Sequence, residues 1–316
     1  MDIITADGLS LTYSSPLGHR VGVGTKEGGL SFCVRKGEIF GIIGPDGAGK
    51  TTLFRILASL LRPHRGRAVV AGCDVVKDYR LLRTKIGYMP GVFSLYGDLT
   101  VEENMDFFAA TFGTSIRENY HLVADIYSQI EPFKHRKARD LSGGMKQKLA
   151  LSCALIHSPE VLYLDEPTTG IDPISRVELW EMLGKLSAQG VTIVASTAYM
   201  EEAGMCDRLA FMMDGQFMGM DSPGAYVEHF TGRLMSVKGG NRLTLTHLLR
   251  EFPGALSSFS FGEDFHVRLA DNVPIEDLRR YLAEQMPPGE FERLLIRETR
   301  PTLEDAFLKL KMETDK

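Results

Sequence analysis

Residues 41–53 read GIIGPDGAGKTTL and contain Gly44-x-x-x-x-Gly49-Lys50-Thr51 directly after an apolar run. Glycines at that spacing let successive backbone N–H groups turn inward around phosphate oxygens. A lysine opening the next helix reaches the β and γ oxygens, and the threonine hydroxyl beside it can ligate Mg²⁺. A second stretch, VLYLDEP, closes an apolar run with two adjacent carboxylates, Asp165 and Glu166. At the carboxyl end of a buried strand, on the same edge as the glycine loop, Asp165 suits Mg²⁺ capture and Glu166 suits activation of a water. A third, LSGGMKQKLALSCAL, puts Ser142, Gly143 and Gly144 at a helix start, whose free amides and dipole face anions. Alone, that third stretch is no more than an N-cap, and Asp172 before Pro173 reads the same way.

The elements that must hold these groups are legible as apolar runs bounded by turn residues: EIFGII, VLYLDEP, VTIVAST and RLAFMM. Continuous apolar strands of that kind belong to a parallel sheet covered by helices on both faces, so the core is expected to be α/β. The phosphate-loop helix is expected to run to about Leu61, ahead of Pro63. Between about residues 92 and 155 the pattern turns helical, which predicts a helical insert in a nucleotide-binding domain spanning 1–222. A Gly/Pro-punctuated boundary at 222–232 precedes a smaller α+β domain at 233–316. Its elements read as strand (RLMSVKG), helix, hairpin (ALSSFSF, FHVRLA), helix, strand (FERLLIRE) and a last helix from Thr302, a ferredoxin-like βαββαβ order with one helix added.

A chain of 316 residues, 44% of them hydrophobic, buries a large core, and its net charge of −5 points to no polyanionic partner. The four cysteines, Cys33, Cys73, Cys153 and Cys206, are scattered without a CxxC pair, as in a reducing compartment without a zinc site. The run KHRKAR at 134–139 has no interleaved aromatics and reads as a solvated face, so no nucleic acid is expected. The N-terminus lacks the basic flank and apolar run of a signal peptide, and no window approaches the ~20 apolar residues of a membrane span. A cytoplasmic location is expected, with any membrane role exerted through a partner.

Taken in order and spacing, the glycine loop, LSGGMKQ, LDEP and TTGIDP resemble the ATPase subunit of ATP-binding cassette (ABC) transporters over roughly residues 3–222. The resemblance implies ATP and Mg²⁺ as ligands and assigns residues one at a time. Tyr13 falls where the family stacks an aromatic ring on adenine, although SSPLGHRVGVGTKEGG after it is longer than usual; a core tyrosine is the competing reading. Gly44, Asp46, Gly47, Ala48, Gly49, Lys50, Thr51 and Thr52 map to the phosphate loop, with Asp46 where asparagine is common. Thr51 and Asp165 map to the metal, and Lys50, Asp165 and Glu166 to catalysis. Ser142, Gly143 and Gly144 map to the signature that contacts the γ-phosphate held by the other subunit of a head-to-tail dimer, and Asp172 to the loop crossing that interface. The tail TRPTLEDAFLKL resembles exporter-type subunits handling drugs, lipids or antibiotics.

Two departures stand out. The family's glutamine after Pro90 is here Gly91, and the histidine after Ser196-Thr197 is here Ala198, with Tyr199 a poor substitute. Removing one polar group that positions transition-state charge lowers rate by roughly 10²–10³. The expectation is therefore an exporter subunit that binds ATP, hydrolyses it slowly at its own site, and docks through GVFSLYGDLT (Phe93, Leu95, Tyr96) under a membrane permease at the inner face of the cell membrane. A second, more complete ATPase subunit is favoured as dimer partner over a homodimer. The alternatives are a catalytically silent regulatory subunit or a soluble ABC protein acting on ribosomes or DNA.

Overall fold

The computed structural model describes residues 1–15, 18–25, 28–287 and 289–314. It divides into two compact units, Met1–Pro223 and Gly224–Lys316.

In the first unit the apolar runs lie side by side in one six-stranded sheet, in the order Gln216–Asp221, Arg208–Met213, Ile39–Ile43, Thr192–Thr197, Val161–Asp165, Ile86–Met89. All pairings are parallel except that of the Gln216–Asp221 edge. Ile39–Ile43, Val161–Asp165 and Thr192–Thr197 are buried at every position, which is why they read as unbroken apolar segments rather than alternating ones. The strand Ile86–Met89 and a second, antiparallel sheet built on Asp2–Ser15 had no counterpart in the sequence reading. That sheet pairs Asp2–Ser15 with Gly18–Val23, Leu30–Arg35 and Arg65–Val70. Register shifts along Asp2–Ser15 break the clean period-2 pattern that would have announced it.

Two helices of the helical region each carry a complete capping box, Thr100/Glu103 for Val101–Thr111 and Ser115/Glu118 for Ile116–Tyr127. Buried Asn104 pins the preceding segment. It accepts from Tyr96 N at 3.0 Å and donates to the carbonyls of Tyr96 at 3.0 Å and Thr100 at 2.9 Å. The phosphate-loop helix is shorter than its sequence suggests. It spans Lys50–Leu57 and gives way to a turn at Ser59, which has a left-handed φ of 59°.

The second unit is a four-stranded antiparallel sheet in the order Ala255–Phe261, Asp264–Leu269, Arg233–Lys238, Leu295–Glu298. Helices Arg242–Glu251 and Ile275–Gln285 supply Leu245, Leu249, Leu278 and Leu282 to its core. The last strand starts later than FERLLIRE suggests, because Phe291–Arg293 closes into a 3-10 turn. Within this unit His266 Nδ1 sits 2.9 Å from Asp305 Oδ1, beside the final helix Leu303–Thr314. Burial pushes the Asp305 carboxyl up, but hydrogen bonds from His266 and Thr302 outweigh it and hold the group below its ordinary value.

Candidate functional site

The glycine loop lies between the buried strand Ile39–Ile43 and the helix Lys50–Leu57. Gly49 has φ 111°, and a Cβ there would collide with the carbonyl of Gly22, so only glycine lets the loop close against the N-terminal sheet. Around the loop is a cavity of about 280 Å³ lined by Tyr13, Asp46, Gly47, Gly49, Lys50, Thr51, Thr52 and Glu166, joined by Arg20 and Arg55. Gly44 and Ala48 support the loop from behind: Gly44 backs onto Met212 O, and Ala48 is buried.

Lys50 is itself buried, and Nζ donates to Gly44 O at 2.7 Å and Pro45 O at 3.1 Å while pairing with Glu166 Oε1 at 3.3 Å. Its three donors are thereby committed, and a phosphate oxygen would enter by displacing Glu166. Ser196, at the end of the adjacent strand, ties the carboxylate pair together. Its Oγ donates to Asp165 Oδ1 at 2.7 Å and accepts from Glu166 N at 2.9 Å. Glu166 has a left-handed φ of 52°, a conformation that costs a non-glycine residue on the order of 1 kcal/mol and concentrates at functional sites. Tyr13 Oη lies 3.2 Å from Thr52 Oγ1, and its ring is partly exposed rather than sealed in the core.

These groups fit a magnesium–nucleotide complex: one buried carboxylate and one hydroxyl beside a phosphate cradle are the usual protein share of Mg²⁺ ligation, the rest coming from phosphates and water. Thr51 and Asp165 would hold the ion, which supplies neutralisation of charge on the phosphates. Glu166 lines the same cavity, its Oε2 accepting from Thr169 Oγ1 at 3.4 Å; released from Lys50, it could accept a proton from water.

Ser142, Gly143, Gly144 and Asp172 do not line this cavity. They form a second cluster, where the helix starts Gly143–Leu155 and Pro173–Ala188 meet. A Cβ on Gly143 would stand 2.8 Å from Gly170 O, and one on Gly144 3.5 Å from Ser175 Oγ. Ser142 accepts from Met145 N at 3.4 Å; Asp172 accepts from Ile174 N at 3.1 Å and Ser175 N at 3.0 Å. Hydrogen bonds from Ser175 hold the Asp172 carboxyl below its ordinary value.

Gly91 abuts the carboxylate strand, where a Cβ would lie 3.0 Å from Asp165 O. Ala198 is exposed. Tyr199 takes no part in the cavity, because the Arg176 guanidinium stacks 4.0 Å over its ring. Arg176 Nε is also 3.3 Å from Glu202 Oε1, which accepts from Thr168 Oγ1 at 2.6 Å. This network, Arg20 and the bridging role of Ser196 were absent from the sequence reading. Only Ser196 had a legible signal, a hydroxyl ending the strand that pairs with Asp165.

A groove of about 270 Å³ runs beside the helical region, lined by Met89, Pro90, Leu95, Phe108, Phe112 and His157 among others. Of the three apolar docking residues, Leu95 faces it. Phe93 and Tyr96 are exposed, Tyr96 packing edge-on against Phe107 at 4.8 Å. The basic run is engaged locally, Lys134 pairing with Glu102 at 2.9 Å and Arg139 with Asp98.

A parallel sheet feeding a phosphate loop, with a carboxylate pair on the neighbouring strand and a helical region bearing a separate Ser-Gly-Gly helix start, defines a P-loop nucleotide-binding cassette. The chain belongs to the ABC transporter family, as an ATP-binding cassette protein. The family's sequence profile, described as "ABC transporter", matches residues 28–169. Nod factor export ATP-binding protein I of Rhizobium sp. (strain N33) is 37% identical over 286 residues, 89% of this chain and 90% of that one. The probable multidrug ABC transporter ATP-binding protein YbhF of Escherichia coli (strain K12) is 39% identical over 287 residues, 89% of this chain but 48% of that protein. This chain thus spans about half the length of the YbhF relatives. A solved ATP-binding subunit of an ABC transporter superposes with TM-score 0.64 at 26% identity, over 72% of this chain and 93% of that one. A dimeric post-hydrolysis cassette bound to ADP and Pi shares the fold, with TM-score 0.62 at 23% identity over 69% of this chain and 98% of that one. Among the described residues no helix is long and apolar enough to cross a membrane.

Proposed function

We propose that this chain is the ATP-binding subunit of an ABC exporter. It binds Mg·ATP through Lys50, Thr51 and Asp165, is impaired in hydrolysis at its own site, and acts beneath a separate membrane permease, peripheral to the inner face of the cell membrane. One observation carries the reading: a single cavity gathers Tyr13, the phosphate loop and Glu166, while the two positions that should finish the catalytic set hold Gly91 and Ala198. The exporter assignment is supported by relatives named for multidrug and Nod factor export. The apolar groove beside Leu95 suits a helix from the permease.

The second cassette of a head-to-tail pair would complete each site from its own signature. A heterodimer is the preferred assembly, since a homodimer would repeat both deficiencies in both sites. The domain limits proposed are 1–222 for the cassette, with its helical insert at about 92–155, and 233–316 for the accessory unit. The test is nucleotide binding and turnover by the purified chain. Expected are binding of Mg·ATP that Lys50→Ala abolishes and turnover well below one per second. Turnover of several per second, abolished by Lys50→Ala, would sink the impaired-site reading. Absence of Mg·ATP binding would sink the ATP-binding one.

A further inference from the structure

We infer that Arg20 is a ligand of the nucleotide's polyphosphate, delivered to the phosphate loop by the strand opposite Tyr13. The inference rests on the ATP-binding reading above. Tyr13 and Arg20 are direct partners in the antiparallel pairing of Asp2–Ser15 with Gly18–Val23, so their side chains emerge on the same face. The hairpin is pressed onto the loop at a second point. A Cβ at Gly22 would come within 2.9 Å of both the Tyr13 ring and the Thr52 methyl, so the missing side chain lets Tyr13 lie against Thr52.

That docking carries Arg20 to the middle of the loop. A side chain at Gly47, whose φ is 80°, would run into the Arg20 guanidinium, and both residues line the same cavity. The cation is available. Lys50 is committed to two carbonyls and to Glu166, whereas Arg20 is exposed and makes no hydrogen bond or ion pair with any described residue.

The local charge balance calls for an added cation there. Asp46, next to Gly47, makes no hydrogen bond or ion pair with any described residue and puts its carboxylate on the loop where a polyphosphate would add several more negative charges. A planar guanidinium, always charged and offering paired N–H donors, both offsets Asp46 and grips phosphate oxygens in a fork. Arg20 therefore positions substrate and performs no proton transfer.

The experiment compares binding of Mg·ATP, Mg·ADP and inorganic tripolyphosphate to wild type, Arg20→Ala and Arg20→Lys, with melting temperature as the check on folding. Loss of a charge-assisted contact should weaken all three ligands about ten- to hundredfold in Arg20→Ala, with Arg20→Lys between. Unchanged affinities in Arg20→Ala would overturn the inference. So would weakening of ATP and ADP with tripolyphosphate unaffected, which would place Arg20 on the base or ribose. A wild-type chain that binds none of the three would overturn the ATP-binding reading itself, an outcome distinct from an Arg20 effect.

Discussion

The phosphate-loop end and the signature end of the cassette are made from similar parts, a helix start fed by glycines, but they are wired differently. At the loop, polar groups close on one another: Lys50 to Glu166, Ser196 to Asp165 and Glu166, Tyr13 to Thr52. At the signature, each polar group serves its own helix. Ser142 caps Gly143–Leu155 and Asp172 caps Pro173–Ala188, while Ile174 beside them is 74% exposed. The first arrangement holds charge within the chain. The second spends its polar groups on helix caps and leaves Ile174 open to solvent, as the proposed contact with another cassette would need. On the proposed reading the two ends can fail independently, and the substitutions Gly91 and Ala198 bear on the first alone.

The largest expected effect separates the ends directly. In the reconstituted complex with permease and second cassette, Ser142→Arg should lower ATPase activity by roughly 10² or more, because it puts a bulky cation where the partner's nucleotide would be completed. Glu166→Gln in this chain should cost less than about twofold, since its own site contributes little flux. If Glu166 proves essential and Ser142 dispensable, the comparison is reversed and the chain's own site does the work.

A smaller, opposite effect tests whether the loop end is short of one group or several. Ala198 is exposed, with Tyr199 beside it held aside by Arg176, so a larger side chain meets open space. Ala198→His should raise the isolated chain's turnover about tenfold, less than the full 10²–10³ because Gly91 remains. Position 91 is the harder repair: any Cβ there presses on Asp165 O at 3.0 Å, so Gly91→Gln must shift the backbone to fit. No change in Ala198→His turnover would mean that the missing histidine does not limit this site.

What the sequence made legible follows from how local each signal is. The phosphate loop, the carboxylate pair and the capped helix starts are short motifs whose chemistry is set by neighbours in sequence; the two capping boxes are equally local but were not read. Arg20 was not legible because its relation to Tyr13 depends on a strand register shifted between Leu11 and Thr12, and its relation to Gly47 on how the hairpin docks. The segment that lengthens this hairpin falls partly on residues 16–17 and 26–27, outside the described residues. The Thr168–Glu202–Arg176–Tyr199 network joins four points that no period connects. In the phosphate-loop helix the expected end near Leu61 overshoots, because the left-handed Ser59 stops the helix before apolar Leu60 and Leu61.

The smallest predicted effect concerns the groove beside the helical region. His157 follows the signature helix and stacks on Phe112 with ring centroids 3.8 Å apart, its Nε2 2.9 Å from Ile86 O on the core strand. With Nε2–H donating to that carbonyl, a second proton would fall on Nδ1, which is buried without a partner. Burial accordingly pulls the His157 pKa below its ordinary value, with the Ile86 carbonyl partly opposing. The folded state then binds fewer protons than the unfolded chain. The stabilisation is present above the unfolded value near 6.5 and is lost as pH falls through the lowered folded value. Wild type should therefore lose more melting temperature between pH 7.5 and pH 5 than His157→Gln does, by a few degrees, even though the variant starts lower for want of the stack. Parallel pH profiles for the two would show that His157 does not sense acid. The tie between the signature helix and the core strand would then rest on the neutral ring's stack and its hydrogen bond to Ile86 O, neither of which responds to acid in this range.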